Sequence, residues 1–381
     1  MRNSLSQIGA QLVLAKTDLQ SVFDALRADG YEIVGPTVRD GAIVYDALTH
    51  MGELPIGWTE VQSPGSYRLE RRTDDAFFGF VVGPHAWKRY LQPPVLKLFS
   101  VEKRNGGLEI RPETEPVPRY AFVGVRPCDL QAIDIQDRVF LGGPYQDPGY
   151  KARRTRAFVL AVNCTEPGGT CFCVSMHTGP QARTGFDLAL TELDEVFLFE
   201  VGSGLGAEIV AALDARPASA FELHAADERL AAAAQRMGRQ LDTSDLPGLL
   251  YDNLEHPHWD DVARRCLSCA NCTQVCPTCF CSDIQDVTDI SFRSGQALLG
   301  QVASRVRVWD SCFTLDFSHI HGGNLRPMVR SRYRQWLTHK LAAWIDQFGV
   351  LGCVGCGRCI TWCPVGIDIT EELKAIRKEA V

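Results

Sequence analysis

At 381 residues the chain exceeds the usual size of one domain, so two or three are expected. Its composition, 45% hydrophobic and 22% charged, is that of a globular protein, and a net charge of −7 argues against a nucleic-acid partner. Fifteen cysteines would suggest disulfides in a secreted chain, but MRNSLSQIGAQLVL lacks a basic stretch followed by an apolar one. The longest apolar run, within DDAFFGFVVGPH, is far below the ~18 residues a membrane span needs. The expectation is a reducing, cytoplasmic compartment with thiolates spent on metal.

In chain order, TDLQSVFDALRAD places Leu19, Val22, Phe23 and Leu26 at helical spacing and closes at Gly30. YEIVGP, GAIVYDAL and SYRLERR read as short strands, KLFSVEK as a further one, and RPETEPVPRY as a Pro-rich connector. A buried strand is predicted over Ala121 to Val125, then a turn and a helix from about Asp129. The strand-then-turn pattern recurs in RAFVLAVNCTEPGGTCFC. FDLALTEL and VFLFEVG read as strands, and Ala-rich helices follow near 206–214 and 224–239. This interleaving predicts an α/β N-terminal domain over 1–248 and a mostly α-helical, ferredoxin-like domain over 249–381, with an insertion of helical-looking sequence.

Cys266, Cys269, Cys272 and Cys276 lie in RRCLSCANCTQVCPTCFC, and Cys353, Cys356, Cys359 and Cys363 in LGCVGCGRCITWCPVGID. Each run reads C-x2-C-x2-C-x3-C-P, the spacing of cubane [4Fe–4S] ligands. Three thiolates on a tight turn hold three irons of one cube, and the fourth Cys, starting the next element, reaches the other cube. The expected sets are Cys266, Cys269, Cys272 with Cys363, and Cys353, Cys356, Cys359 with Cys276. Zinc knuckles are the plain alternative, but they explain two C-x2-C pairs and leave a third Cys and the C-x3-C-P unused.

Cys128 in VRPCDL, Cys164 in AVNCTEP, and Cys171 and Cys173 in GGTCFC sit in turns following or close beyond apolar strands, where sheets present functional loops. They are candidates for a third cluster; the alternative is that they are small buried hydrophobes. Cys279, Cys281 and Cys312 are too few for a cubane unless His319 or His321 joins, and are expected to pack around the clusters. Gly202, Gly204 and Gly206 read as a strand–helix turn rather than a phosphate loop, because the glycine spacing is incomplete. Arg326, Arg330, Arg332, Arg334 and Lys340 form either a solvated helix face or a positive collar raising a cluster's potential. Nothing carries nucleophilic or hydrolytic catalysis.

Taken with the Cys runs, VRPCDL, NCTEPGGTCFC, PTCFC, WDSC and HGGNLRP resemble the iron–sulfur beta subunit of cytoplasmic NAD(P)-linked sulfhydrogenases, which are nickel–iron hydrogenases. They are equally similar to the iron–sulfur subunit of anaerobic sulfite reductase. The resemblance runs from about residue 120 to the end, more faintly before. It implies an electron-transfer subunit with no catalytic residues of its own. Electrons would pass between a flavoprotein partner that binds NAD(P)H and the hydrogenase small and large subunits, or the siroheme subunit of a sulfite reductase. The readings from other classes are a self-contained iron–sulfur oxidoreductase using the Cys128/Cys164/Cys171/Cys173 site, and a scaffold with redox-silent clusters.

Overall fold

The computed structural model describes residues 7–104, 107–113, 116–288, 291–293, 296–298 and 302–379. Eight strands form the main sheet. Its centre is parallel: Glu32–Arg39, Tyr120–Val125, Phe158–Val162 and Leu188–Glu192 lie side by side in that order. Such strands are buried on both faces and should read as continuous apolar runs, as FVLAV does; LALTE is buried throughout as well, although it ends in Thr191 and Glu192. Ala42–Ala47 adds antiparallel at one edge. At the other, Val196–Val201, Gln11–Ala15 and Arg216–Pro217 follow, all antiparallel.

The apolar run at 77–82 is a buried irregular loop, so its backbone groups need partners that no ladder supplies. Two buried charges provide them. The Glu192 carboxylate accepts the Phe77 and Phe78 amides, both at 2.8 Å. The Arg126 guanidinium donates to the Phe78 and Phe80 carbonyls at 2.7 and 2.6 Å. The Gly202–Gly206 segment is a strand–helix turn capped by Ser203, whose Oγ accepts the Gly206 amide at 3.1 Å. A Cβ on Gly206 would lie 1.9 Å from the Asp187 carbonyl oxygen, so this glycine serves close packing.

The segment between the two Cys runs departs from the helical expectation. Ser282–Thr288 pairs antiparallel with Val302–Trp309. The latter pairs in turn with Val95–Arg104, which is itself joined to Gly107–Pro112. This four-stranded sheet takes two strands from each side of the expected boundary near residue 248. Among the described residues α-helix resumes at Val329–Thr338, which continues through a π turn over His339–Ala343 into Trp344–Phe348. A second core forms there, with Trp259, Phe313, Tyr333, Trp336, Leu337, Ile360 and Ile376 buried around the cysteine runs. Among the described residues no helix is long and apolar enough to cross a membrane.

Candidate iron–sulfur centres

The two Cys runs fold alike. In the first, the helix His258–Arg265 ends at Cys266, Ser268 and Ala270 take left-handed φ, and the short helix Asn271–Gln274 follows. In the second, Gly355 and Gly357 take left-handed φ at the same offsets from Cys353, before the short helix Arg358–Thr361. The tight turn lets backbone amides face sulfur: Ser268 N lies 3.4 Å from Cys266 Sγ, Gly355 N 3.5 Å from Cys353 Sγ, and Ile367 N 3.3 Å from Cys363 Sγ. Left-handed backbone costs about 1 kcal/mol per non-glycine residue, and such strain concentrates at functional sites. The glycines of the second run have a further reason. A Cβ on Gly355 would come 2.7 Å from Cys173 Cα, and one on Gly357 2.3 Å from the Thr170 carbonyl oxygen. The first run meets no such wall, and Cys269 and Leu267 are exposed.

Cys266, Cys269, Cys272 and Cys363 line one cavity, closed by Phe313, Tyr333, Trp336, Ile367 and Ile369. Cys363 of the second run thus borders the same space as the three cysteines of the first. Cys359 also borders this cavity and feels the charge of Cys272, so the two sets adjoin. Cys353, Cys356 and Cys359 each feel the charge of Cys276, again from the opposite run. Burial pushes the Cys353 thiol up to about 12, and Cys359 and Cys272 well above their usual value. Such thiols resist ionising on their own, whereas a bound metal supplies the positive charge that makes thiolates stable. Among the described residues no three His, Cys, Asp or Glu side chains converge to hold a single ion. A cube, unlike zinc, spreads its ligands around a body of several atoms, and these residues fit it.

The structure also gathers the four N-terminal thiols. Cys128 opens the helix Pro127–Leu141, Cys164 follows the strand Phe158–Val162, and Cys171 and Cys173 lie in the next loop. Cys173 feels both Cys164 and Cys356, Cys171 feels Cys173 and Cys164, and Cys128 feels Cys173 and Cys356. The Phe172 amide donates to the Gly355 carbonyl at 2.8 Å, and Thr178 Oγ1 to the Val354 carbonyl at 2.6 Å. This neighbourhood therefore abuts the second run directly.

Of the remaining thiols, Cys279 neighbours Cys276, and Cys281 neighbours Cys312. His319 and His321 are exposed at a small hairpin. The basic run divides. Arg330 and Arg334 reach Glu255 at 3.0 and 2.7 Å, and Arg332 donates to the Phe313 carbonyl at 2.6 Å. Only Lys340 among them meets a cysteine of the runs, with Nζ 3.3 Å from Cys276 Sγ.

Several functional contacts escaped the sequence reading. Arg358, between two cysteines of the second run, grips Asp129 through two bonds of 2.6 and 2.8 Å, with both residues at most 3% exposed. Their signal was a charge set inside a cysteine motif, VRPCDL on one side and GCGRC on the other. Gln62, on the strand Trp58–Ser63, accepts Thr361 Oγ1 at 2.8 Å and donates to Glu60 at 2.8 Å.

Burial raises the Glu60 carboxyl from 4.5 to about 7, against the bonds from Val81 N–H and Gln62 that favour its charge. A carboxyl with a raised folded pKa binds more protons folded than unfolded, so its contribution to stability falls as pH rises through 4.5 to about 7. Glu60→Gln removes that dependence. Denaturation at pH 5 and pH 8 should find the variant gaining about 2 kcal/mol on the parent at the higher pH. An equal gap at both pH values would count against a raised Glu60.

A family model described as a 4Fe-4S dicluster domain matches residues 265–367. The chain is 33% identical over 307 residues to Sulfhydrogenase 2 subunit beta of Pyrococcus furiosus, covering 77% of this chain and 85% of that relative. No solved structure matches it. The paired cysteine runs and this extended identity agree: the chain is an iron–sulfur electron-transfer protein and belongs to the sulfhydrogenase beta-subunit family.

Proposed function

We propose that the chain relays single electrons between a flavoprotein subunit that binds NAD(P)H and FAD and a nickel–iron hydrogenase module. The observation that carries this is the adjoining pair of thiol sets, Cys266/Cys269/Cys272/Cys363 and Cys353/Cys356/Cys359/Cys276. Each set holds one [4Fe–4S] cluster, which supplies reversible one-electron storage when bound. The chain's own residues position the thiols, exclude water around them through Tyr333, Trp336 and Phe313, and bring Cys272 and Cys359 near each other. Cys128, Cys164, Cys171 and Cys173 hold a third cluster, supported by their mutual proximity and by their contact with the second run. Cys164, Cys171 and Cys173 are also buried, as is Cys276 of the second set. A third cluster placed there extends the relay toward the α/β sheet.

The test is anaerobic purification of the full chain with its natural partners. Iron content near twelve per chain supports three clusters, and about eight leaves only the two of the paired runs. Reversible reduction should appear by EPR, and a co-purifying protein should contain nickel. A siroheme-bearing partner would instead assign the chain to an anaerobic sulfite reductase. Turnover of NAD(P)H with a dye by the chain alone would overturn the relay.

A further inference from the structure

We propose that Lys340, helped by Lys88, makes the cluster of Cys353, Cys356, Cys359 and Cys276 the more easily reduced of the two. The inference rests on the two-cluster reading above. Lys340 is only 2% exposed, and its Nζ lies 3.3 Å from Cys276 Sγ, 3.0 Å from Thr278 Oγ1 and 2.9 Å from the Gly352 carbonyl oxygen. Lys88 is 5% exposed and donates to the Thr273 and Cys279 carbonyls at 3.1 and 3.2 Å, with its ammonium 4.2 Å from the centre of the Trp309 ring.

Among the described residues these partners are sulfur, hydroxyl, carbonyl and ring, and none is a carboxylate. Two ammonium groups buried without a counter-charge would be costly, and buried charges are ordinarily paired. The missing anion is the cluster itself. A thiolate-ligated cube is negative and becomes more so when it takes an electron, so fixed positive charge and N–H donors at its sulfur favour the reduced form. Only an electron moves; no bond forms or breaks, and the donor and acceptor are the relay's partners.

The local backbone serves this placement. Lys340 lies within the π turn His339–Ala343, a widened helical turn of the kind that often marks functional positions. It sits there beside Cys276 and the start of the second run, at Gly352. The other cavity is built differently. Phe313, Tyr333, Trp336, Ile367 and Ile369 wall it; Arg265 is paired with Glu372, and Arg332 donates to the carbonyl of the wall residue Phe313 and not to a thiol. An apolar wall disfavours added negative charge. Among the described residues the cation that touches a ligand sulfur is at the second set, and an arriving electron settles beside Lys340.

The experiment is an EPR-monitored redox titration of the full chain, anaerobically prepared, as the parent and as Lys340→Met. The expected result is a fall of at least tenfold in the reduction equilibrium of one cluster, about 59 mV for one electron. The other cluster stays in place and the iron content is unchanged. If Lys340→Met loses iron, Lys88→Met is read by the same titration and should lower the same cluster. Midpoints that do not move, or that move equally at both clusters, overturn the proposal. Iron-free parent protein would sink the two-cluster reading itself, whereas an iron-replete variant with unmoved potentials sinks only the role of the lysines.

Discussion

Cys363→Ala is expected to strip iron from the site of Cys266, Cys269 and Cys272 and to spare the site of its own run. The reason is the shared cavity: Cys363 borders the same space as the first three cysteines, although it lies far beyond them in the chain. Its sulfur is held there by the Ile367 amide, and Gly366 N bonds back to the Cys363 carbonyl at 2.9 Å. Removing this thiol leaves three ligands for a four-ligand cube. The variant should lose about four iron atoms per chain and one of the reduced EPR signals. Cys276→Ala should remove the complementary signal. Loss of the signal that Cys353→Ala also removes, in the Cys363→Ala protein, would mean that each run closes on itself.

Asp129→Asn should cost about 3–5 kcal/mol, the range expected when one partner of a buried ion pair is removed. Arg358 and Asp129 meet through two short bonds in a nearly dry setting, and Tyr45 Oη adds a third to the carboxylate at 3.1 Å. The neutral amide keeps the shape but strands the guanidinium. The damage should reach beyond stability, because Asp129 follows Cys128 while Arg358 lies between Cys356 and Cys359. The pair therefore ties the N-terminal thiols to the second run. Chemical denaturation of the variant, with iron content measured alongside, checks both effects. Pairing Asp129→Leu with Arg358→Met should recover much of the loss, since a matched apolar pair leaves no buried charge. A single variant as stable as the parent would show that the pair is not what joins these parts.

Cysteine spacing announced the two runs because metal geometry allows few alternatives, and the buried strands announced themselves as unbroken apolar runs. The parallel centre of the sheet was legible for that reason: AFVGV and FVLAV have little other use. The ribbon Ser282–Thr288 was not. Six of its seven residues are exposed, so it carries no alternation of apolar and polar positions, and its pairing is fixed by a partner strand instead. The strand Gly107–Pro112, with Leu108 and Ile110 exposed, hides in the same way. Gln11–Ala15 is short and buried only at its three central residues, and its place between two strands far along the chain identifies it.

At the site, the presence of a 4Fe-4S dicluster domain was readable but the surroundings of its cysteines were not. Gly355 and Gly357 hinted at left-handed backbone, whereas Ser268 and Ala270, which take the same shape, gave no sign. The basic segment near residue 330 looked like one feature. Folding split it, sending two arginines to Glu255, one to a carbonyl and a lysine to sulfur. Which charge turns inward depends on a π turn and on the position of Gly352, neither of which leaves a mark in the local sequence.

The proposed exchange of one thiol between the two runs would also constrain how the protein is made. During synthesis the first three cysteines emerge from the ribosome long before Cys363, so their cavity lacks a wall until the second run has followed. Both sets would close only within the second run, at Cys359 and Cys363, so iron loading becomes a joint event that must wait for that run to emerge.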